Sequence, residues 1–203
     1  MDVKLKSLKQ QLLKLDHDKN FKYEDFYVSP SNQHIFDLLN KWPKWDKNLL
    51  NISGENYSGK THLINIFLKK FKGIKFEANS LKNEYFNEIK NHQNIVLENL
   101  DENIDEKLIY SLSNIVEQDN KFLIITSKIP IVHIKLKLKD LISRFKNFLL
   151  FDIPKPDEEL MFALILKNLS DRQITVDKKL INYIVKRIDR SYSKIFDFIY
   201  KID

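Results

Sequence analysis

The chain has 203 residues, 43% hydrophobic and 31% charged, no cysteine and a net charge of +6. That fits one or two globular domains with a real core, and the missing cysteines exclude disulfides, thiolate metal sites and cysteine nucleophiles, as suits a cytoplasmic protein. No apolar run is long enough to span a membrane, the N-terminus lacks a signal-peptide core, and the positive charge is mostly lysine spread over helical faces.

Residues 1–20 are basic and polar around Gln10-Gln-Leu-Leu-Lys-Leu15, and read as a short helix or a flexible arm. Residues 21–47 open with Phe21, Tyr23, Phe26 and Tyr27, pass through Ser29-Pro-Ser-Asn32, and predict a helix from about 31 to 41. From 48 to 153, apolar runs at 48–53, 74–79, 94–98, 121–127 and 147–153 alternate with helical patterns at 60–71, 80–90, 105–118 and 138–145. Short runs separated by helices imply crossover units, hence a five-stranded parallel sheet covered on both faces. Pro154-Lys-Pro156 ends the pattern. Three helical stretches follow, 157–169, 177–189 and 191–201; the first opens on acidic residues and the second on Asp177, a good N-cap. The expected organisation is an arm (1–20), an α/β domain (21–153) and a small helical domain (154–203).

Gly54-Glu-Asn-Tyr-Ser-Gly59-Lys60-Thr61 fits the phosphate-loop pattern G-x-x-x-x-G-K-[ST], and holds two of the three glycines in the chain. An apolar strand precedes it and a helix beginning at His62-Leu-Ile follows. In that setting the amides of Glu55, Asn56, Tyr57 and Ser58 and the helix N-terminus face a phosphate with partial positive charge. Lys60 would reach the β- and γ-phosphates, and Thr61 would place its hydroxyl on Mg²⁺. Such a loop needs an acid at the end of a neighbouring buried strand, and Ile95-Val-Leu-Glu98-Asn99 is the candidate. Glu98 would hold the metal through water. Asn99 stands where a second acid would activate water, and an amide cannot take that proton. The pattern predicts nucleotide binding with slow hydrolysis at best. Thr126 ends the fourth run, where a hydroxyl can sense a γ-phosphate. Arg144, one of four arginines, precedes the fifth run, at the domain edge. Lys194 lies on the last helix, from which it could fold back onto the nucleotide.

Together these residues resemble the DnaA/Hda branch of the AAA+ ATPases. Phe21 to Asn32 is similar to the branch's entry motif, which implies that Phe26, Tyr27 and Val28 contact the base. Gly54–Thr61, with His62 after it, is similar to its Walker A, Ile95–Asn99 to its Walker B, and Thr126-Ser127 to sensor I. Ser143-Arg144-Phe145 resembles the box whose arginine acts on a nucleotide held by another subunit. Pro154 to Glu159, Asp171 to Asp177 and Asp189-Arg-Ser191 resemble the junction and signatures of the helical lid. Gln10-Gln-Leu-Leu-Lys-Leu15 is similar to the sliding-clamp motif of Hda-type members, with Gln10, Leu13 and Leu15 as anchors. The resemblance implies an AAA+ P-loop domain with a helical lid and ADP or ATP with Mg²⁺ as cofactors. It implies DnaA and the DNA polymerase III β sliding clamp as partners, DNA reached through the clamp, and self-association as a further option. The implied role is stimulation of hydrolysis of DnaA-bound ATP, which prevents re-initiation. The alternatives are a DNA-binding initiator or helicase-loader relative, and a nucleotide-stabilised scaffold. Four departures stand out: Glu98-Asn99 for an acidic pair, Lys194 for the sensor II arginine, Lys128 for an acid after sensor I, and an expected lid of three helices within these residues, without the last lid helix or the helix-turn-helix domain of the family.

Overall fold

The computed structural model describes residues 26–202. The clamp-motif anchors Gln10, Leu13 and Leu15 lie outside the described residues. Five strands, β1 (Leu49–Ser53), β2 (Ile74–Glu77), β3 (Asn94–Leu100), β4 (Phe122–Ser127) and β5 (Leu149–Asp152), form one parallel sheet in the order β2-β3-β4-β1-β5. Helices α1 (Gln33–Asn40), α2 (Lys60–Phe71), α3 (Phe86–Lys90), α4 (Glu106–Gln118) and α5 (Lys139–Phe145) cover it.

Every residue of β1 is buried, as expected of a central strand covered on both faces. On one face Leu50, Ile52, Val96 and Ile124 meet Ile35 and Leu39 of α1 and Leu63, Ile64 and Phe67 of α2. On the other, Ile95, Leu97, Leu123 and Ile125 meet Ile109, Leu112 and Val116 of α4 and Leu141 and Phe145 of α5. The spacing 109, 112, 116 is the helical stripe the sequence shows, and Asp105 caps α4 by accepting from the Lys107 and Leu108 amides. Each such buried side chain contributes about 1.5–3 kcal/mol of apolar burial.

From neighbouring strands β1 and β4 the chain departs in opposite directions, to β2 at one edge and β5 at the other. The crevice beyond the carboxyl ends of these strands is where doubly wound sheets bind ligands. Asn51, buried inside β1, knits this point together. Its amide donates to Ile125 O (3.0 Å) and Ser127 Oγ (2.9 Å), and its carbonyl oxygen accepts from Ile131 N (3.1 Å).

Beyond Pro156 come helices α6 (Glu158–Asp171), α7 (Lys178–Val185) and α8 (Tyr192–Ile202), the segment expected to serve as a lid. They enclose their own core of Met161, Ile165, Ile181, Ile195 and Ile199.

Three expectations need correction. The helix predicted over 80–90 is two 3₁₀ turns, Ala78–Ser80 and Asn83–Tyr85, and only then α3, because Leu81 and Lys82 are extended. The second strand stops at Glu77 rather than 79, where the first of those turns begins. The helix predicted over 177–189 ends at Val185, and Asp189 begins the turn into α8.

Candidate functional site

The phosphate loop grows straight out of β1. The Gly54 amide donates to Ser127 O (3.2 Å), and a Cβ at Gly54 would lie 2.8 Å from Ser58 Oγ and 3.1 Å from Ile153 Cβ. Gly59 has φ 90° at the N-terminus of α2, and a Cβ there would meet the Phe26 ring at 3.2 Å. The two fixed glycines thus answer different demands, close packing at Gly54 and a left-handed backbone under an aromatic ring at Gly59.

Lys60 lies across this loop. Its ammonium donates to Gly54 O (2.6 Å), Glu55 O (2.8 Å) and Ser58 Oγ (3.4 Å). Burial lowers its pKa to about 8, against the pull of the Glu55 and Asp152 carboxylates, and nearby Lys128 lowers it further. A phosphate in the loop would return a full counter-charge to Lys60.

A cleft of about 710 Å³ opens between the loop, the entry segment and the lid, within the usual range for a small-molecule site. Asn56, Tyr57, Ser58, Gly59, Lys60, Thr61 and His62 line it from below, with Phe26, Tyr27 and Asn32 at the side. Phe26 stacks on Phe36 (ring centroids 5.9 Å apart) and meets His62 edge-on (5.3 Å). Asn32 holds the entry turn by accepting from Ser29 N (2.9 Å) and donating to Tyr27 O (3.0 Å). From above come Leu160, Leu164, Lys167, Asn168 and Asp171 of α6 and Tyr192, Phe196 and Tyr200 of α8. Of these residues only Asp171 figured in the sequence reading, as the start of a lid signature. The signal that could have found those of α8 is the spacing 192, 196, 200, three aromatics on one helical face.

The lid is joined to the entry segment at its base. Asp157 caps α6 through Leu160 N (2.7 Å) and accepts from Ser31 N (3.1 Å). The Tyr27 hydroxyl donates to Glu159 (2.6 Å), and that bond raises the phenol above its ordinary value.

At the end of β3 the ladder to β4 slips between Leu97 and Leu100, so that Glu98 and Asn99 stand against the single residue Thr126. Asn99 takes a left-handed φ of 59° and lines the cleft. Its amide N–H donates to Thr126 Oγ1 (3.0 Å), and its side chain donates to Glu77 (3.0 Å). Bulges of this kind re-aim side chains beside functional sites. Glu98 is 3% exposed, with one carboxylate oxygen on Lys75 at 3.0 Å and the other, Oε1, buried without a partner. Among the described residues no group of three or more His, Cys, Asp or Glu could hold a metal by itself. Glu98 Oε1 is an orphaned oxygen of the kind a hard cation takes, but Glu98, unlike Thr61 and Asn99, does not line the cleft.

Other sequence-singled residues sit apart from the cleft lining. Thr126 is fully buried with its hydroxyl on Asn99, and Val28 is half-buried. Lys194 is exposed and does not line the cleft, contrary to the expectation that it folds onto the nucleotide. The reason is helical phase: Tyr192, Phe196 and Tyr200 own the cleft face, and Lys194 is two residues out of step. Arg144 is ion-paired with Glu117 and lies over the Tyr110 ring (5.2 Å), its side chain 17% exposed.

No protein-family model matches the chain. It is 26% identical over 217 residues to the chromosomal replication initiator protein DnaA of Borreliella afzelii, covering 89% of this chain and 44% of that protein. Against DnaA of Borrelia turicatae the identity is 26% over 200 residues. The chain therefore spans about two fifths of the length of the curated relatives it matches. Among solved structures, AMPPCP-bound DnaA from Aquifex aeolicus superposes with a TM-score of 0.72 at 20% identity, covering 91% of this chain and 65% of that one. Domain III of Thermotoga maritima DnaA gives 0.69 at 18%, covering 91% and 88%. The chain shares with these DnaA structures their fold, a five-stranded parallel sheet covered by helices. Within that fold the phosphate loop follows β1, while β3 runs on to Leu100, two residues past the predicted end of its apolar run at Glu98.

Proposed function

We propose that this chain is a nucleotide-binding, DnaA-like regulator of chromosomal replication initiation. The observation that carries the reading is the cleft itself: a complete phosphate loop, aromatic entry residues and a lid meeting over one cavity, in a chain similar to DnaA over most of its length. The loop amides and Lys60 would hold the phosphates of ADP or ATP, and Phe26 and Tyr27 would meet the base. Glu98 and Thr61 would hold Mg²⁺, which supplies charge neutralisation at the phosphates when bound. Asn99 cannot accept a proton from water, so intrinsic turnover is slow.

In the finer reading, Gln10, Leu13 and Leu15 dock the protein on the sliding clamp, and Arg144 stabilises charge on ATP held by DnaA. The guanidinium must then exchange Glu117 for a phosphate oxygen of the partner's nucleotide. The test is hydrolysis of DnaA-bound ATP in the presence of DNA-loaded clamp. Arg144→Ala is expected to lower stimulation by about three to five decades, the usual effect of losing such a finger, with clamp binding intact. Glu117→Gln is expected to preserve it. Normal stimulation by Arg144→Ala would sink the finger reading. The packing of Arg144 on Glu117 and Tyr110 favours a second reading, a nucleotide-stabilised scaffold in which Arg144 ties α4 to α5. Its signature is lower stability of Arg144→Ala with no effect of the wild type on DnaA.

A further inference from the structure

Two variable positions of the phosphate loop reach out of it to the lid. Glu55 places both carboxylate oxygens on the N-terminus of α8: Oε1 accepts from the Tyr192 amide, and Oε2 accepts from Ser191 Oγ (3.1 Å). That amide is among those a helix start leaves without a partner, and a carboxylate there also meets the positive end of the helix dipole. Two residues on, Tyr57 stacks on Phe196 of α8, with ring centroids 4.7 Å apart and planes 23° off parallel. Tyr57 holds a left-handed φ of 66° to do so, a conformation unfavourable for a side chain of its size. The contacts join residues about 136 positions apart, directly from loop to lid. Glu55 also links inward, because its carbonyl oxygen accepts from Lys60 Nζ (2.8 Å).

We propose that Glu55 and Tyr57 form a strap that seats the lid on the phosphate loop without nucleotide, making them positioning residues that set how fast nucleotide enters and leaves. The proposal rests on the nucleotide-binding reading above. Tyr57, Tyr192 and Phe196 line the cleft themselves, so the strap forms part of its wall, and any lifting of α8 breaks all three contacts. A phosphate that draws Lys60 off Glu55 O acts on the residue that carries the strap. By reciprocity, whatever nucleotide does to strap closure, strap closure does to nucleotide affinity.

The experiment has two arms on the full chain. In the first, amide hydrogen exchange is followed without nucleotide. The Tyr192 amide is expected to be protected in the wild type and to exchange at least about tenfold faster in Glu55→Ala, with Glu55→Gln in between. Equal protection in wild type and both variants overturns the strap, whether or not nucleotide binds. In the second, association and dissociation of a fluorescent ADP analogue are timed. Tyr57→Ala and Glu55→Ala are expected to raise both rates about tenfold, and Tyr57→Phe, which keeps the stack, to restore the slow rates. Lost Tyr192 protection with unchanged rates overturns the positioning role. A wild type that binds no analogue at all overturns the nucleotide reading instead, leaving the first arm to judge the strap.

Discussion

Burial draws the Lys60 ammonium down to about 8, overriding the carboxylates of Glu55 and Asp152, with Lys128 adding to the fall. Lys60 is therefore charged below about pH 8 and increasingly neutral above it, and a phosphate needs the cation. Affinity for ADP is expected to fall by about twofold between pH 7 and 8 and more steeply above that, by up to about tenfold per pH unit. Titration with a fluorescent ADP analogue between pH 7 and 9.5 checks this; an affinity constant across that range overturns it. Stability of the nucleotide-free protein has the opposite sign. The folded value lies below the ordinary 10.5, so between about 8 and 10.5 the unfolded chain holds more protons, and the Lys60 contribution to stability rises with pH. At this scale the fixed loop positions were legible in sequence, because a phosphate cradle demands particular backbone and charge. The roles of Glu55 and Tyr57 were not, since their partners Ser191, Tyr192 and Phe196 are more than 130 residues away.

Among the elements, the start of α6 holds a carboxylate whose charge the fold favours. Burial opposes the charge on Asp157, but hydrogen bonds from Leu160, Ser29 and Ser31 outweigh it and hold its pKa below the ordinary 3.8. A carboxyl depressed in the folded state adds stability above its unfolded pKa and loses it as pH falls through the folded value. Asp157→Asn keeps an N-cap but removes the charge, so its urea midpoint is expected to decline less steeply than wild type below about pH 4. Asp157→Ala also loses the cap, at a cost of about 1 kcal/mol at pH 7. Equal acid limbs for Asp157→Asn and wild type would contradict this account. Periodicity located α1, α2, α4 and α5 to within about two residues. It overextended the helix at 80–90, because Leu81 and Tyr85 face the core from 3₁₀ turns and extended backbone, and their spacing imitates a helical stripe.

For the molecule as a whole, core and lid share one cleft, so a ligand held there is expected to stabilise both together. At one hundred times its dissociation constant, ADP adds about 2.7 kcal/mol. For a domain of this size that raises Tm by about 5–10 °C. Thermal melts with and without ADP test this, and Lys60→Ala is expected to remove the shift. Two separate melting steps, only one of them moved by ADP, would contradict a shared site.

Local spacing was enough to read off the alternation of strands and helices and the phosphate-loop pattern. Each of these rests on short-range spacing: period 2 or 3.6 for burial, and eight consecutive residues for the loop. Only the folded chain shows which lid residues face the cleft, that Glu98 is paired with Lys75, that Arg144 lies against Glu117 and Tyr110, and that Lys194 is exposed outside the cleft lining. Those outcomes depend on helical phase and on meetings between distant segments, which packing of the sheet, α4 and α8 fixes and local spacing does not encode.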